Sequence, residues 1–359
     1  MKKITAVLTA FLTVLMLFSV TASAYSGGTS FSYRYPESFE KAKKHYSAFS
    51  KSFDAELSDV PVPGNTVSEA YSKETGFSET VNAVAQGLAV TDSYILVTAY
   101  DSAKEYDSLL YVISNGEKRE LLAVIALPDK NHSGGVATDG KNVYIAESDK
   151  GISYFSADII EKAVSQNGVY VLEEYDGTVE TEKSASFVTY YEGTLWLGEF
   201  NEKSESYLCD YVIEDDGGLS RGEHTLVMPE KLQGAAFFEK DGKTCIFASC
   251  SYGRTNTSDV YIYGFDNGRN EKLYRYAFPP MTEEAAYSDG RIYLIFESSA
   301  THYSTEKSRC PTPVDRIVSL DPGVLTDEKT ENELRDLFAR IRDIFLKICD
   351  FFASFFRKS

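Results

Sequence analysis

The stretch Ala285-Ala286-Tyr287-Ser288-Asp289-Gly290-Arg291-Ile292-Tyr293-Leu294-Ile295-Phe296 sets an acid and a glycine between two apolar runs. That is the pattern of a β-hairpin, because a two-residue loop needs residues that tolerate positive φ while both flanking runs need residues that suit a pleated sheet. The element recurs upstream at Thr91-Asp92-Ser93, Thr138-Asp139-Gly140, Tyr191-Glu192-Gly193 and Lys240-Asp241-Gly242, with successive acids 47, 53, 49 and 48 residues apart. Spacing of that size and regularity is a supersecondary period and suggests the blades of a propeller. Two further strands fit inside each of the first four periods: Leu109 to Ser114 with Leu121 to Leu127, Ile152 to Phe155 with Val169 to Glu173, Tyr207 to Ile213 with His224 to Val227, and Val260 to Phe265 with Leu273 to Phe278. Four strands per unit is what a blade requires.

The fifth unit has a third strand, Arg316 to Leu320, and then meets Asp321-Pro322-Gly323 with no fourth. The segment Phe53 to Val62 ends before Pro63, much as the fourth strands end before Pro128, Pro229 and Pro279, and it is the candidate for the missing strand. A ring closed in this way leaves no long sheet edge exposed. The expected fold is all-β: a five-bladed β-propeller of four-stranded antiparallel blades over residues 53–325, closed by an N-terminal strand.

With these features the chain resembles bacterial secreted β-propellers, and more loosely the gluconolactonase-like, NHL-repeat and phytase-like groups, whose blades also open with a small-residue strand and an Asp-Gly turn. The resemblance implies an architecture and no activity. The Gly-His and Trp-Asp marks of WD40 repeats are absent, and Trp196 is the sole tryptophan.

Residues 1–24 carry Lys2 and Lys3, an uncharged run from Ile4 to Val20, and Ala22-Ser23-Ala24, which reads as a secretory signal. Removing it takes away two lysines and no acids, leaving 34 basic and 54 acidic residues and a formal charge of −20. Such a surface argues against a nucleic-acid partner and suits a secreted protein, free or attached to the cell surface. Five cysteines in a chain of 359 residues are too few for a disulfide-dependent miniature fold, so the apolar core carries the stability. Cys250 and Cys310 fall in or beside loops of adjacent blades and form a candidate disulfide; Cys209 and Cys245 lie inside strands.

In a propeller the innermost strands line a central channel, and polar groups at their ends can share one mouth. Just before the first strands stand Gln86, His132 with Ser133, Ser184, Gln233, and Glu283 with Glu284. Within one residue of eight positions past each turn acid stand Tyr100, Glu147, Glu199, Ser249 and Glu297. The long loops after blades four and five add Arg254, a planar donor fork for a carboxylate, and Tyr303. Gln86, Tyr100, Glu147, Glu199, Gln233, Arg254, Glu297 and Tyr303 are therefore the candidate ligand-binding residues. The three glutamates Glu147, Glu199 and Glu297 are a candidate site for a cation such as Ca²⁺, which favours several oxygen donors. No H-E-x-x-H, G-x-S-x-G, Walker or C-x-x-C motif occurs. Two functional readings follow: a binding or scaffold module for a small-molecule, glycan or peptide ligand, and alternatively a hydrolase or lyase using a carboxylate-lined mouth.

Outside the ring, residues 25–52 place Phe39, Ala42, Tyr46 and Phe49 at helical spacing. Residues 326–359 hold a linker and an amphipathic helix with Leu334, Leu337, Phe338, Ile341, Ile344, Phe345, Ile348, Phe352, Phe355 and Phe356 on its apolar side. Charges every few residues exclude an ordinary membrane span, and the apolar face is expected to bury at a membrane interface, on the propeller or against another copy. If the interface is the choice, the mature protein pellets with liposomes and loses that ability when residues 331–359 are deleted. Equal behaviour of the two proteins discards the membrane reading.

Overall fold

The computed structural model describes residues 33–58, 60–63, 83–148, 151–166, 169–215, 217–303, 309–327 and 330, together with the backbone of 68–72 and 76–81. The apolar leader and the amphipathic segment from Glu331 onward lie outside these residues. Among the described residues five small sheets are arranged as a five-bladed β-propeller, and Ser68–Ser72 pairs with Gly76–Val81 in a separate two-stranded sheet. Blade one is built from Ala83–Val90, Tyr94–Asp101, Leu109–Ser114 and Leu121–Ala126, and blade two from Ser133–Thr138, Asn142–Glu147, Gly151–Ser156 and Gly177–Val179. Blade three is Phe187–Tyr191, Thr194–Glu199, Ser206–Ile213 and Leu219–Met228. Blade four is Leu232–Lys240, Lys243–Cys250, Ser258–Asp266 and Arg269–Phe278, and blade five begins Thr282–Ser288, Arg291–Phe296, Arg316–Leu320.

The acid-glycine turns do what their composition demands. Glu192 and Gly193, Asp241 and Gly242, and Asp289 and Gly290 all have positive φ, so three of the inner hairpins turn through two left-handed residues whose twist matches that of the strands. Blade two reaches its turn differently, with Asp139 Oδ1 accepting from the backbone N–H of Lys141 at 2.8 Å and Asn142 at 2.7 Å.

Closure comes from the N-terminal side. Phe53–Asp54 and Val60–Pro61 both pair antiparallel with Arg316–Leu320, so the fourth strand of blade five is supplied in two pieces from the start of the ring. Pro61, which has no N–H to donate, sits where only an outermost strand tolerates it. Before this strand run α1 (Pro36–His45) and α2 (Ser47–Ser52), separated by an extended Tyr46. Phe39, Ala42 and Phe49 bury against blades four and five, with Phe49 edge-on to Phe278 at 5.4 Å and to Phe296 at 6.2 Å.

Blade two departs from the expected strand order. Val169–Val171 does not serve as its fourth strand but adds to blade one, parallel to Leu121–Ala126, and Gly177–Val179 takes the outer position of blade two. A parallel partner requires a crossover, which α3 (Asp158–Ser165) supplies. Its Ile160 and Ala163 pack with Leu110 and Ile125 of blade one and with Val143 and Phe155 of blade two, filling the wedge between the blades.

At the centre, bulges interrupt the innermost strands where polar residues interrupt the apolar pattern: between Ala85 and Leu88, between Leu232 and Gly234, and between Thr282 and Ala285. A bulge leaves groups out of the ladder and re-aims side chains. The Glu284 side chain, fully buried, crosses the channel, where its carboxyl accepts from the backbone N–H of Leu88 in blade one, Val136 in blade two at 3.0 Å, and Val188 in blade three at 3.2 Å. Blade four meets the same residue through Gly234, where a β-carbon would stand 2.5 Å from Glu284 Cα. Glu284→Ala strands three buried donors at about 1–3 kcal/mol each. It is expected to lower unfolding free energy in urea by at least about 3 kcal/mol; a change under about 1 kcal/mol would show that the hub carries little stability.

Candidate functional site

Above this hub the inner ends of all five blades surround one cavity of about 360 Å³. Blade one contributes Gln86 and Tyr100, blade two His132 and Ser148, blade three Ser186 and Phe200, blade four Gln233 and Arg254, and blade five Met281, Glu297 and Tyr303. Six of the eight candidate ligand residues line it: Gln86, Tyr100, Gln233, Arg254, Glu297 and Tyr303.

Their side chains form a connected polar network. Glu297 Oε2 accepts from Gln86 Nε2 at 2.9 Å and from the Tyr303 hydroxyl at 3.0 Å. The amide oxygen of Gln86 can only accept, so the Nε2 of His132, 2.8 Å away, is the nitrogen that carries the proton. His132 in turn lies against the Tyr100 ring, centroids 4.2 Å apart, and a hydrogen bond links the phenols of Tyr100 and Tyr303. The guanidinium of Arg254 stands 4.7 Å over the Tyr303 ring.

Beneath the network, the carboxyl of Glu283 is hydrogen-bonded to that of Glu297 and receives Gln233 Nε2 at 3.3 Å. Two carboxyls this close cannot both ionise, so they share a proton. Burial, and then the neighbouring Glu297 charge, push Glu283 well above the usual carboxylate range. Burial also raises Glu297, from 4.5 to about 7, with the donors Tyr303 and Gln86 and the charge of Arg254 pulling the other way. Tyr100 is pushed up to about 12, by burial first and then by the charge of Glu297. The site is thus a proton-sharing acid pair facing a cavity, covered by two phenols and one guanidinium.

The remaining two candidate residues go elsewhere. Glu199 pairs with Lys183 at 3.3 Å, and the buried Glu147 accepts from Ser153 Oγ at 2.8 Å. Neither lines the cavity with Glu297, and among the described residues no group of three acids, histidines or cysteines is placed to hold a metal ion. Strand geometry explains both outcomes. Glu199 lies seven residues past its turn acid rather than eight, and a one-residue offset moves a side chain to the other face. Glu147 has the right count from its turn acid, but its turn is two residues longer than that of blade five, Thr138 pairing with Val143 where Ser288 pairs with Arg291, so the same count stops short of the position Glu297 occupies. The disulfide expected between Cys250 and Cys310 is absent: both thiols are free and buried. Cys250 belongs to the core shared by blades three and four, where burial raises its thiol far above the usual range, whereas Cys310 sits beside Thr312 and Arg309 in the blade-five loop.

Phe200 and Ser148, which line the mouth, were not singled out by the sequence pattern. A strict count of eight from the turn acid yields Phe200 in blade three, whereas in blade two, with its longer turn, Ser148 lies nine residues past Asp139. Glu283 and Glu284, noted only as polar flanks, carried a stronger signal as adjacent acids leading into the small apolar strand start Ala285-Ala286.

No family model matches the chain, and no match is found among curated proteins. Solved structures are similar at the level of fold. They include the glutaminyl cyclase of Myxococcus xanthus, with TM-score 0.42, 14% identity, and coverage of 67% of this chain and 90% of that one. A putative oxidoreductase (glucose dehydrogenase) from Thermus thermophilus gives TM-score 0.40 at 12% identity, covering 72% and 92% of the respective chains. The GH43B protein of a Bacteroides ovatus xyloglucan locus gives 0.41 at 9% identity, covering 59% and 48%. These likenesses are distant, and they assign no function.

The raised pKa of Glu297 has a consequence for stability. A carboxyl whose folded-state value lies above its unfolded value favours the fold in its neutral form, so its contribution is full below the unfolded value and is lost as pH rises through about 7. Unfolding free energies measured near pH 5 and near pH 8 should therefore fall for the native protein by at most on the order of 3 kcal/mol relative to Glu297→Gln. Parallel pH profiles for the two proteins would mean that Glu297 is ionised throughout.

Proposed function

We propose that this propeller is a ligand-binding module working outside the cell or at its surface, with the ring as scaffold and the mouth above Glu283 and Glu297 as the binding site. The observation that carries this reading is one polar cavity into which all five blades deliver side chains. Its volume, about 360 Å³, falls within the range of small-molecule pockets, and its few polar groups converge on one carboxyl pair. The leader-like N-terminus and the acidic mature surface support export. The Phe-rich C-terminal segment is suited to tethering at a membrane interface.

A second reading, a hydrolase or lyase, is supported by Glu297 itself. A carboxyl held at about 7 and hydrogen-bonded to a second, protonated carboxyl can donate or accept a proton near neutral pH, as a general acid or base must. This version relies on the acid pair and not on a divalent cation, because Glu147 and Glu199 are engaged elsewhere.

Ser148→Trp fills the mouth from its rim without removing a member of the acid network. A thermal-shift screen of the mature protein against small amines, carboxylic acids, amino acids and sugars is expected to find at least one stabilising class, and the variant should lose the response. Stabilisation that survives in Ser148→Trp would place the ligand away from the mouth.

A further inference from the structure

The charges of the mouth suggest which class of ligand it takes. Among the residues lining the cavity, Glu297 is the carboxyl and Arg254 the permanent cation. His132 points its Nε2 proton at Gln86, so that Gln86 stands between it and Glu297. One residue connects the two charges: Tyr303 donates its hydroxyl to Glu297 and lies under the Arg254 guanidinium. The charge of Arg254 is felt at Glu297, where it opposes the effect of burial. The opposite charges therefore meet a single tyrosine side chain, one at its hydroxyl and the other over the face of its ring, on the wall of one small cavity.

We propose that the mouth binds a zwitterion of the α-amino acid type, with its ammonium group on Glu297 and its carboxylate on Arg254. This rests on the reading of the mouth as a ligand site and adds the chemistry of the ligand. An amine without an acid would bring its positive charge beside Arg254, and a carboxylate without an amine would bring its negative charge beside Glu297. Each of those ligands meets a like charge in a site partly withdrawn from water, where charges are weakly screened. A zwitterion meets an opposite charge at both ends, where charge-assisted hydrogen bonds are the strong ones. The apolar walls Phe200 and Met281 leave a place for the ligand's side chain, and Gln86, Gln233 and the serines supply neutral donors and acceptors.

The groups acting on Glu297 are Glu283 below it, Tyr303 and Gln86 bonded to it, Arg254 across the cavity and the Tyr100 phenol beside Tyr303. An ammonium ligand requires Glu297 ionised. Affinity should consequently rise from about pH 6 to about pH 8 and be accompanied by proton release.

Calorimetry on the mature protein near pH 8 decides, using a panel of free α-amino acids, the amides of the same compounds, their analogues without the amine, and glucose. At least one amino acid is expected to bind, with its amide and its deaminated analogue each roughly ten- to hundredfold weaker. Arg254→Ala should weaken the amino acid by a similar factor while leaving its amide unaffected or slightly tighter, and Glu297→Gln should remove the rise with pH. Thermal melts of both variants establish that they fold, and the amide comparison on the native protein stands without either. Equal affinity for the amino acid and its amide, or tight binding of glucose alone, overturns the zwitterion while leaving the mouth as a ligand site. No binding by any compound in the panel overturns the zwitterion as well, and the broader thermal-shift screen then shows separately whether the mouth binds anything.

Discussion

The buried carboxyl of Glu284 is the point on which the ring depends. Each blade of a propeller points the narrow end of its sheet at the axis, and the bulged inner strands leave backbone donors facing the channel, away from their ladders. Donors buried without acceptors would each cost as much as a lost hydrogen bond or more. One side chain from blade five answers the donors of Leu88, Val136 and Val188, and its own main chain fills the space left open at Gly234. The channel is thereby plugged at one level, and the polar cavity above it acquires a floor. Burial pushes Glu284 well above the usual carboxylate range, and the three N–H donors oppose that shift, so the residue is held between two large effects and is unsuited to exchanging protons with a ligand.

The chain itself advertises its architecture through repetition. Asp241-Gly242 and Asp289-Gly290 can be recognised because a two-residue hairpin loop selects so few residue pairs, and a fixed spacing between such pairs constrains the fold further than any one hairpin does. The strand supplied by Phe53–Asp54 and Val60–Pro61 was legible for a related reason, since a fifth blade with three strands leaves an edge that the remaining chain must cover. Blade two was misread where the repeat was interrupted. Val169–Val171 has the composition of a strand, but composition does not say which sheet it joins, and the choice was made by Ile160 and Ala163 finding an apolar wedge between two blades. That is a tertiary decision with no local signature.

The site was legible in proportion to how strictly the strand period was respected. Tyr100 and Glu297, both eight residues past a turn acid, reach the mouth; Glu199, one residue short, faces Lys183 instead. Glu147 shows the limit of counting, because the four-residue turn between Thr138 and Val143 leaves it deeper in the blade, where its carboxylate accepts from Ser153, and Ser148 lines the mouth instead. Positions counted from a turn are equivalent only while the turns have the same length. Bulges also account for what the pattern did offer, since Gln86, Gln233 and Glu283 are polar residues within otherwise apolar inner strands at the places where those ladders break.

Glu283 and Glu284 show how the same feature separates structure from chemistry. Adjacent residues in an extended chain point to opposite sides, and here one carboxyl turns down into the channel while the other turns up to Glu297. The lower one is saturated by backbone donors fixed by the fold. The upper one has as its main partner another acid, with which it must share a proton, and that proton lies within a short chain of side chains leading to Tyr303 and Arg254 at the cavity wall. A ligand that supplies a positive group can replace the shared proton as the counter-charge, which couples binding to proton release. The lower carboxyl stands apart from this exchange: its bonds to the backbone donors of Leu88, Val136 and Val188 tie blade five to blades one, two and three through groups that the upper pair does not use.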